Sequence, residues 1–389
     1  MTVSPGLEVC LEQPPEQLAT ARSFALLTHQ AAVDHRLQNS ADLLHARFPD
    51  QLRCLMSPQH GLWATEQDNM VETAHGRHPQ LGLPVHSLYS ETRRPTPEML
   101  DGVDLLVVDL QDVGCRVYTF IWTVSHCLEV CAERNIPVLV LDRPNPLGGT
   151  LAEGPALDLD YESFVGRAAI PMRHGLTLGE LAGLVNQERG IDCELQVVRM
   201  RGYDRSTLWP EVGREWLPPS PNLPRFGGVQ VYPGQVLLEG TNLSEGRGTT
   251  TPFEQWGAPF LDPWRLLAAL PQERLPGCAL RPISFVPTFQ KHVGQNCQGL
   301  FVHPTDAAAF SPYRTTLALL RAVWELWPEH ARWLSPPYEY EATHMPIDIL
   351  TGGPEVRQWI EQRGSWDELE TLAAAPMDWW QRVADHLLY

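Results

Sequence analysis

Short apolar runs alternate with amphipathic stretches through the first half of the chain, and that rhythm predicts a parallel sheet covered by helices. The candidate strands are "SFALLTH" from Ser23, "LRCLMS" from Leu52, "VHSLY" from Val85, "DLLVVDL" from Asp104, "IPVLVLD" from Ile136 and "CELQVVRM" from Cys193. Helical patterns fall between them: "SADLLHARF" from Ser40, "TPEMLDG" from Thr96, "YTFIWTVSHCLEVCAERN" from Tyr118 and "LTLGELAGLVNQERG" from Leu176. Thr96 precedes a proline at the first helical position, and Thr177 opens a Thr-x-x-Glu capping box closed by Glu180.

Near Trp216 the texture changes to "WLPPSPNLPRFGGVQVYPG", whose prolines are expected to interrupt both helix and interior strand. Beyond it come the strands "LRPISFVPTF" and "QGLFVHP", helices from Asp262-Pro263 and Pro312, and the Trp-rich end "SWDELETLAAAPMDWWQRVADHLLY". The fold class expected is α/β: a Rossmann-like parallel sheet domain over 1–228, joined to a smaller α+β domain over 229–389. With 389 residues, each part is long enough to bury a core without staples.

Composition narrows the partners. A formal charge of −18 repels a phosphate backbone, so neither nucleic acid nor an anionic membrane is expected, and an anionic substrate must be met by local arginines. Eight cysteines are scattered without a CxxC pair, and Cys127 and Cys131 lie one helical turn apart, which suits a core in a reducing compartment. The start, "MTVSPGLEVCLEQPPEQL", has no basic region followed by an apolar run, and no segment approaches the ~18 apolar residues that cross a bilayer. These features predict a soluble, cytoplasmic protein; oligomeric state is not readable.

In parallel α/β sheets ligands sit beyond the carboxyl ends of strands, so polar residues just after an apolar run are the ones to inspect. After "LRCLMS" comes "PQHGLWATEQDNMVETAHGRH", a long polar loop holding Gln59, His60 and Glu66. A lone histidine such as His60 is equally a hydrogen-bonded framework group, and His75 with His78 forms an isolated HxxH that does not amount to a metal site. After "DLLVV" comes "DLQDVGCRVYTF", with Asp112, Arg116 and Tyr118 either as ligand contacts or as a turn cap and its ion pair. After "IPVLVL" comes "DRPNPLGGTLAEGP", where Asp142, Asn145 and Glu153 ride on a stiff Pro/Gly frame. A fourth cluster, "YPGQVLLEGTNLSEGRGTTTPFEQWGAP", collects Tyr232, Glu239, Asn242, Ser244, Glu245, Arg247 and Thr249, with Arg247 offering a planar fork for a carboxylate or forming an internal ion pair.

The chain has no GxGxxG after its first strand, no Walker loop, no GxSxG elbow and no HExxH. Carboxylates, amides and arginines interleaved with Trp63, Tyr118, Trp122 and Tyr232 instead fit a sugar, whose hydroxyls need planar polar partners and whose apolar faces stack on rings.

The ordered set "SPQHG", "SLYSETRRPTPEMLDGVDLLVVDLQDVGCRVYTF", "VLDRPNPLGG", "EGP", "RHGLTLGELA", "PSPNLP", "YPG" and "LLEGTNLSEGRGTTTPFE" resembles the NamZ-type exo-β-N-acetylmuramidases, from about Phe24 to the final "LLY". The resemblance implies a Rossmann-like domain and a smaller one with a cleft between them. It also implies release of N-acetylmuramic acid from the non-reducing ends of peptidoglycan fragments, without metal or organic cofactor. The family's usual motif reads Pro-Glu-His-Gly, with that glutamate the proposed catalytic residue, whereas this chain has Gln59. An amide can bind a sugar but cannot exchange a proton as an acid or base, and ordinary glycoside cleavage uses two carboxyl groups.

Glu66 is therefore the first candidate replacement, followed by Asp112 and Glu245. In this reading Glu66, Asp112 and His60 carry catalysis. Gln59, Arg116, Tyr118, Asp142, Asn145, Glu153, Asn242, Glu245 and Arg247 bind substrate, with Arg116 or Arg247 on its lactyl carboxylate. The family's secretion signal is missing, so a small recycled amino-sugar or muropeptide is expected rather than intact wall. The rival reading is a muropeptide-binding protein whose catalytic glutamate became Gln59; a third keeps hydrolysis but changes the sugar.

Overall fold

The computed structural model describes residues 3–68 and 70–389. Strands β1 (Phe24–Thr28), β2 (Leu52–Ser57), β3 (Gly76–Arg77), β4 (Pro84–Ser87), β5 (Leu105–Asp109) and β6 (Val138–Leu141) are followed by β7 (Glu153–Ala156), β8 (Pro171–Arg173) and β9 (Leu195–Val198). Seven of them form one sheet in the order β3-β4-β2-β1-β5-β6-β9. All neighbours in it run parallel except the two-residue β3 on β4. The chain winds outward from β1 in both directions, so the switch point of the sheet lies between β1 and β5.

Strand alternation decides which side chain meets which helix layer. Phe24, Leu26, Leu105, Val107, Leu139 and Leu141 share one core with Leu7, Cys10, Ala41 and Leu44 of the helices Gly6–Glu12 and Ser40–Arg47. Ala25, Leu27, Leu106, Val108, Val138 and Val140 point the other way, onto the helices Phe120–Arg134 and Leu178–Glu188. Both faces are covered, which is why these strands read as unbroken apolar runs. Thr177 and Glu180 make the capping box reciprocally. The Thr96 pattern yields only a single 3-10 turn, Pro97–Leu100, with no side-chain cap.

The second half holds a three-stranded antiparallel sheet of β10 (Gln255–Ala258), β12 (Cys297–Pro304) and β11 (Cys278–Phe285), with β12 in the middle. Contrary to the expectation from its prolines and glycines, "FGGVQVYPGQ" is a helix, Phe226–Gln235, with Pro233 inside it. Pro233 sits near the C-terminal end, where it removes one backbone bond and the chain tightens into the 3-10 turn Val236–Gly240. Tertiary packing outweighs that loss: a Cβ on Gly234 would meet the Pro312 carbonyl oxygen at 1.9 Å, so the glycine lets this helix and Pro312–Leu326 touch backbone to backbone.

Core residues of both halves belong to one continuous apolar cluster, which runs from Trp122 and Val124 through Val229 and Leu238 to Leu317 and Trp379. The tryptophans of the last segment divide accordingly, Trp379 being fully buried with its indole nitrogen donating to the His174 carbonyl. Arg116 binds the halves together from inside. Fully buried, it donates to the carbonyls of Pro155 (2.8 Å), Ile170 (3.0 Å) and, across the boundary, Leu350 (2.8 Å).

Candidate active site

The loop after β2 turns at once: His60 and Gly61 both take positive φ, 72° and 78°, which points residues 59 and 60 back over the strand ends. There Gln59 and His60 meet Tyr118 and Thr119 from the loop entering the Phe120–Arg134 helix. Opposite stand Tyr232, Glu239, Arg247, Phe253, Tyr338 and Glu339 from the second half. These walls enclose a cavity with room for about 30 Å³ of solvent, enough for a water or two.

Glu339 is the acid most perturbed by this setting. It is 4 % exposed, and burial pushes its carboxyl up to about 7; hydrogen bonds from Tyr89 and Gln59 favour the ionised form, while the negative charge of Glu239 opposes it. The Tyr89 hydroxyl donates to Oε2 at 2.8 Å. Glu339 and Tyr340 hold φ of 44° and 69°, and such strain in non-glycine residues collects at functional sites. Thr119 donates to Gln59 Oε1 at 2.7 Å, so the amide turns its NH2 toward Glu339. The answer to the missing carboxylate is thus geometric: Gln59 acts as an oriented donor to a neighbouring acid.

Glu239 is held differently. Arg247 Nη2 donates to Oε1 and the Tyr338 hydroxyl to Oε2, both at 2.6 Å. Arg247 also pairs with Glu245, Nε lying 3.1 Å from Oε1 without hydrogen-bond geometry, and Nη1 donates to the Gln67 carbonyl at 3.3 Å. Lys291 completes the group, 2.9 Å from Glu245 Oε2, and together with Arg247 it draws the Glu245 carboxyl below its usual range against the effect of burial. His60 Nδ1 lies 2.7 Å from the Glu66 carbonyl, which fixes the proton on that nitrogen; burial lowers its basicity to about 4, so the ring is neutral at pH 7. Tyr118, Tyr232 and Phe253 make an aromatic wall, with Tyr232 4.9 Å from Phe253 and 6.1 Å from Tyr118, centroid to centroid.

Of the residues singled out from sequence, Gln59, His60, Tyr118, Tyr232, Glu239 and Arg247 come together at this cavity, with Glu245 behind Arg247. Glu66 reaches it only through its backbone carbonyl. Asp112 lies off the lining, one oxygen accepting from Gly114 N at 2.7 Å and the other without a partner among the described residues; burial raises it to about 7. Asp142 accepts from Thr177 (2.7 Å), Gly179 N (2.8 Å) and Tyr389 (2.8 Å), as a junction of framework bonds. Asn145 bridges Leu147 N and the Leu176 carbonyl, and its amide occupies the space a Cβ on Gly114 would need.

Glu153 takes the Ser311 hydroxyl and Arg314 N, Asn242 joins Arg332 N to the His330 carbonyl, and Arg116 is spent on carbonyls. Sequence reasoning gave no role to Glu239 and did not single out Glu339. The signal available for the latter was the aperiodic stretch "PPYEYEATHMP" between two helices, where acids alternate with tyrosines.

Among the described residues no group of His, Cys, Asp and Glu is arranged to hold a metal ion. No described helix is long and apolar enough to cross a membrane.

Residues 24–227 match the N-terminal part, and residues 230–389 the C-terminal part, of the exo-β-N-acetylmuramidase NamZ family. The chain is 42% identical over 367 residues, 94% of its length and 86% of the relative's, to the peptidoglycan β-N-acetylmuramidase NamZ of Bacillus subtilis (strain 168). Two crystal structures of DUF1343 family proteins from Bacteroides fragilis NCTC 9343 share the fold. One has a TM-score of 0.88 at 33% identity and the other 0.75 at 27%, each covering 100% of this chain and 99% of its own. The chain is a member of the exo-β-N-acetylmuramidase NamZ family.

Proposed function

We propose that this protein is a glycoside hydrolase that removes N-acetylmuramic acid from the non-reducing ends of peptidoglycan fragments, with Glu339 as its proton donor. The observation that carries the assignment is a buried carboxyl held near neutrality, at about 7, in a cavity built by both halves of the chain. A donor to a leaving glycosidic oxygen must be protonated at working pH yet able to give its proton up, which is what burial beside another acid achieves. We assign that role to Glu339 rather than to Glu66 or Asp112, because neither of those carboxyls lines the cavity.

Glu239, gripped by Arg247 and Tyr338, is the carboxylate that faces the developing positive charge of the sugar. Neutral His60 and the amide of Gln59 orient the substrate and Glu339, and the rings of Tyr118, Tyr232 and Phe253 receive its apolar face. Both halves of the chain supply walls of this cavity, although the helix Phe226–Gln235 and a shared core run across the expected boundary at 228/229. All eight cysteines are unpaired and seven are buried, which supports action in a reducing compartment on small imported fragments.

The test is turnover of a chromogenic N-acetylmuramide with mass-spectrometric identification of the released sugar. Glu339→Gln should reduce kcat at least about a thousandfold while substrate still binds. Binding without product in the wild type would instead favour a muropeptide-binding protein, and an active Glu339→Gln variant would remove Glu339 from the mechanism.

A further inference from the structure

Glu339 borders a second space. Beside that cavity lies a more open hollow of about 430 Å³, edged by Arg93, His126, Glu162, Phe164, Arg167, Tyr340 and Glu341. The arginines around these two spaces differ in how their guanidiniums are occupied. Arg247 is paired with two buried carboxylates, Glu239 and Glu245, and donates to a carbonyl. Arg167 donates to Ser125 Oγ (2.8 Å) and Glu129 (2.7 Å) and lies 3.4 Å from Glu162.

Arg93 is less committed. Its guanidinium lies between two rings, 3.5 Å from the centroid of Tyr340 and 4.7 Å from that of Tyr89, and Nη1 donates to the Ser90 carbonyl at 2.7 Å. Nε has no partner among the described residues, and Nη2 reaches only Glu72 Oε1, at 3.3 Å, whose side chain is 52 % exposed. An ion pair that long and that wet contributes little, so an arriving carboxylate can exchange with it. The stacked rings meanwhile hold the cation in place.

Muramic acid differs from glucosamine by an ether-linked lactyl group that ends in a carboxylate. A protein of net charge −18 has no general attraction for such a group and needs a local cation to read it. We propose that Arg93 is that cation: the hollow takes the acidic substituent of the sugar, and Arg93 releases Glu72 to bind it. The inference rests on the muramidase reading and places its specificity at one residue. Tyr89 ties the two ends of the site together, since the ring beneath Arg93 carries the hydroxyl bonded to Glu339.

Calorimetry with N-acetylmuramic acid and N-acetylglucosamine tests this, alongside turnover of matched chromogenic glycosides of the two sugars. Arg93→Gln should lower affinity and kcat/KM for the muramic compound at least tenfold more than for the glucosamine compound, and Arg93→Lys should recover part of the difference. Glu72→Gln, which removes the competing carboxylate, should tighten muramic acid binding severalfold. Equal losses on both sugars in Arg93→Gln, or an unchanged preference, overturn the proposal, as does a wild type that binds neither sugar. If the wild type cleaves neither glycoside the hydrolase reading fails, and the calorimetric preference still decides the role of Arg93.

Discussion

Two sets of buried acids in this molecule differ in what they border. Asp109, Asp112 and Asp142 follow β5 and β6 in the first half; Asp109 grips Arg143 through bonds of 2.6 and 2.9 Å, and Asp142 is ringed by hydroxyl and backbone donors. Glu239 and Glu339 come from the 3-10 turn and the loop of the second half and border an enclosed space. Position beyond a strand end therefore marks where a site lies, but of these buried acids only Glu239 and Glu339 line the cavity. Both stand on the side that covers the strand ends.

The sharpest way to break this contrast is to neutralise one acid of each set. Glu339→Gln should cost at least about a thousandfold in kcat, whereas Asp112→Asn should cost less than about tenfold, measured on one chromogenic muramide at saturation. Equal losses would move Asp112 into the chemistry. For Asp142→Ala the contrast runs through stability: stripping the acceptor from Thr177, Gly179 N and Tyr389 leaves buried donors unpaired. A loss of about 2–4 kcal/mol is expected in denaturant unfolding, with kcat of the remaining folded protein near wild type.

A third probe is pH. Burial sets the Glu339 carboxyl near 7 against an ordinary value of 4.5, so kcat/KM should fall as pH rises through about 7. Because the folded state holds this proton more tightly than the unfolded chain, stability should decline as pH rises from about 4.5 to 7 and level off above. Glu339→Gln should remove that residue's share of the decline, a relief on the order of 1–3 kcal/mol at pH 7.5, and leave the share of Asp112. Smallest is Gln59→Glu, which replaces a donor to Glu339 by a like charge and should move the alkaline limb of the pH–rate profile up by about 1 unit. A downward shift would show that Gln59 does not act on Glu339.

The sheet was legible because its central strands β1, β5 and β6 are buried on both faces, and the capping box at Thr177 because its two bonds are local. The Phe226–Gln235 helix was hidden because local signals forbid it and the packing of Gly234 on Pro312, far along the chain, permits it. The site divides along the same line. Gln59 and His60 announce themselves by following a strand, whereas Arg116 looks like a ligand contact until its carbonyl partners, as far away as Leu350, are seen. Glu339 gave no periodic cue, and what makes it an acid of unusual strength is the company of Tyr89, Gln59 and Glu239, drawn from three separate segments.

The buried guanidinium that ties Pro155 and Ile170 to Leu350 also limits how a sugar gets in. Swinging the halves apart like a clam shell would strand a permanent positive charge in a dry interior and tear a shared apolar core.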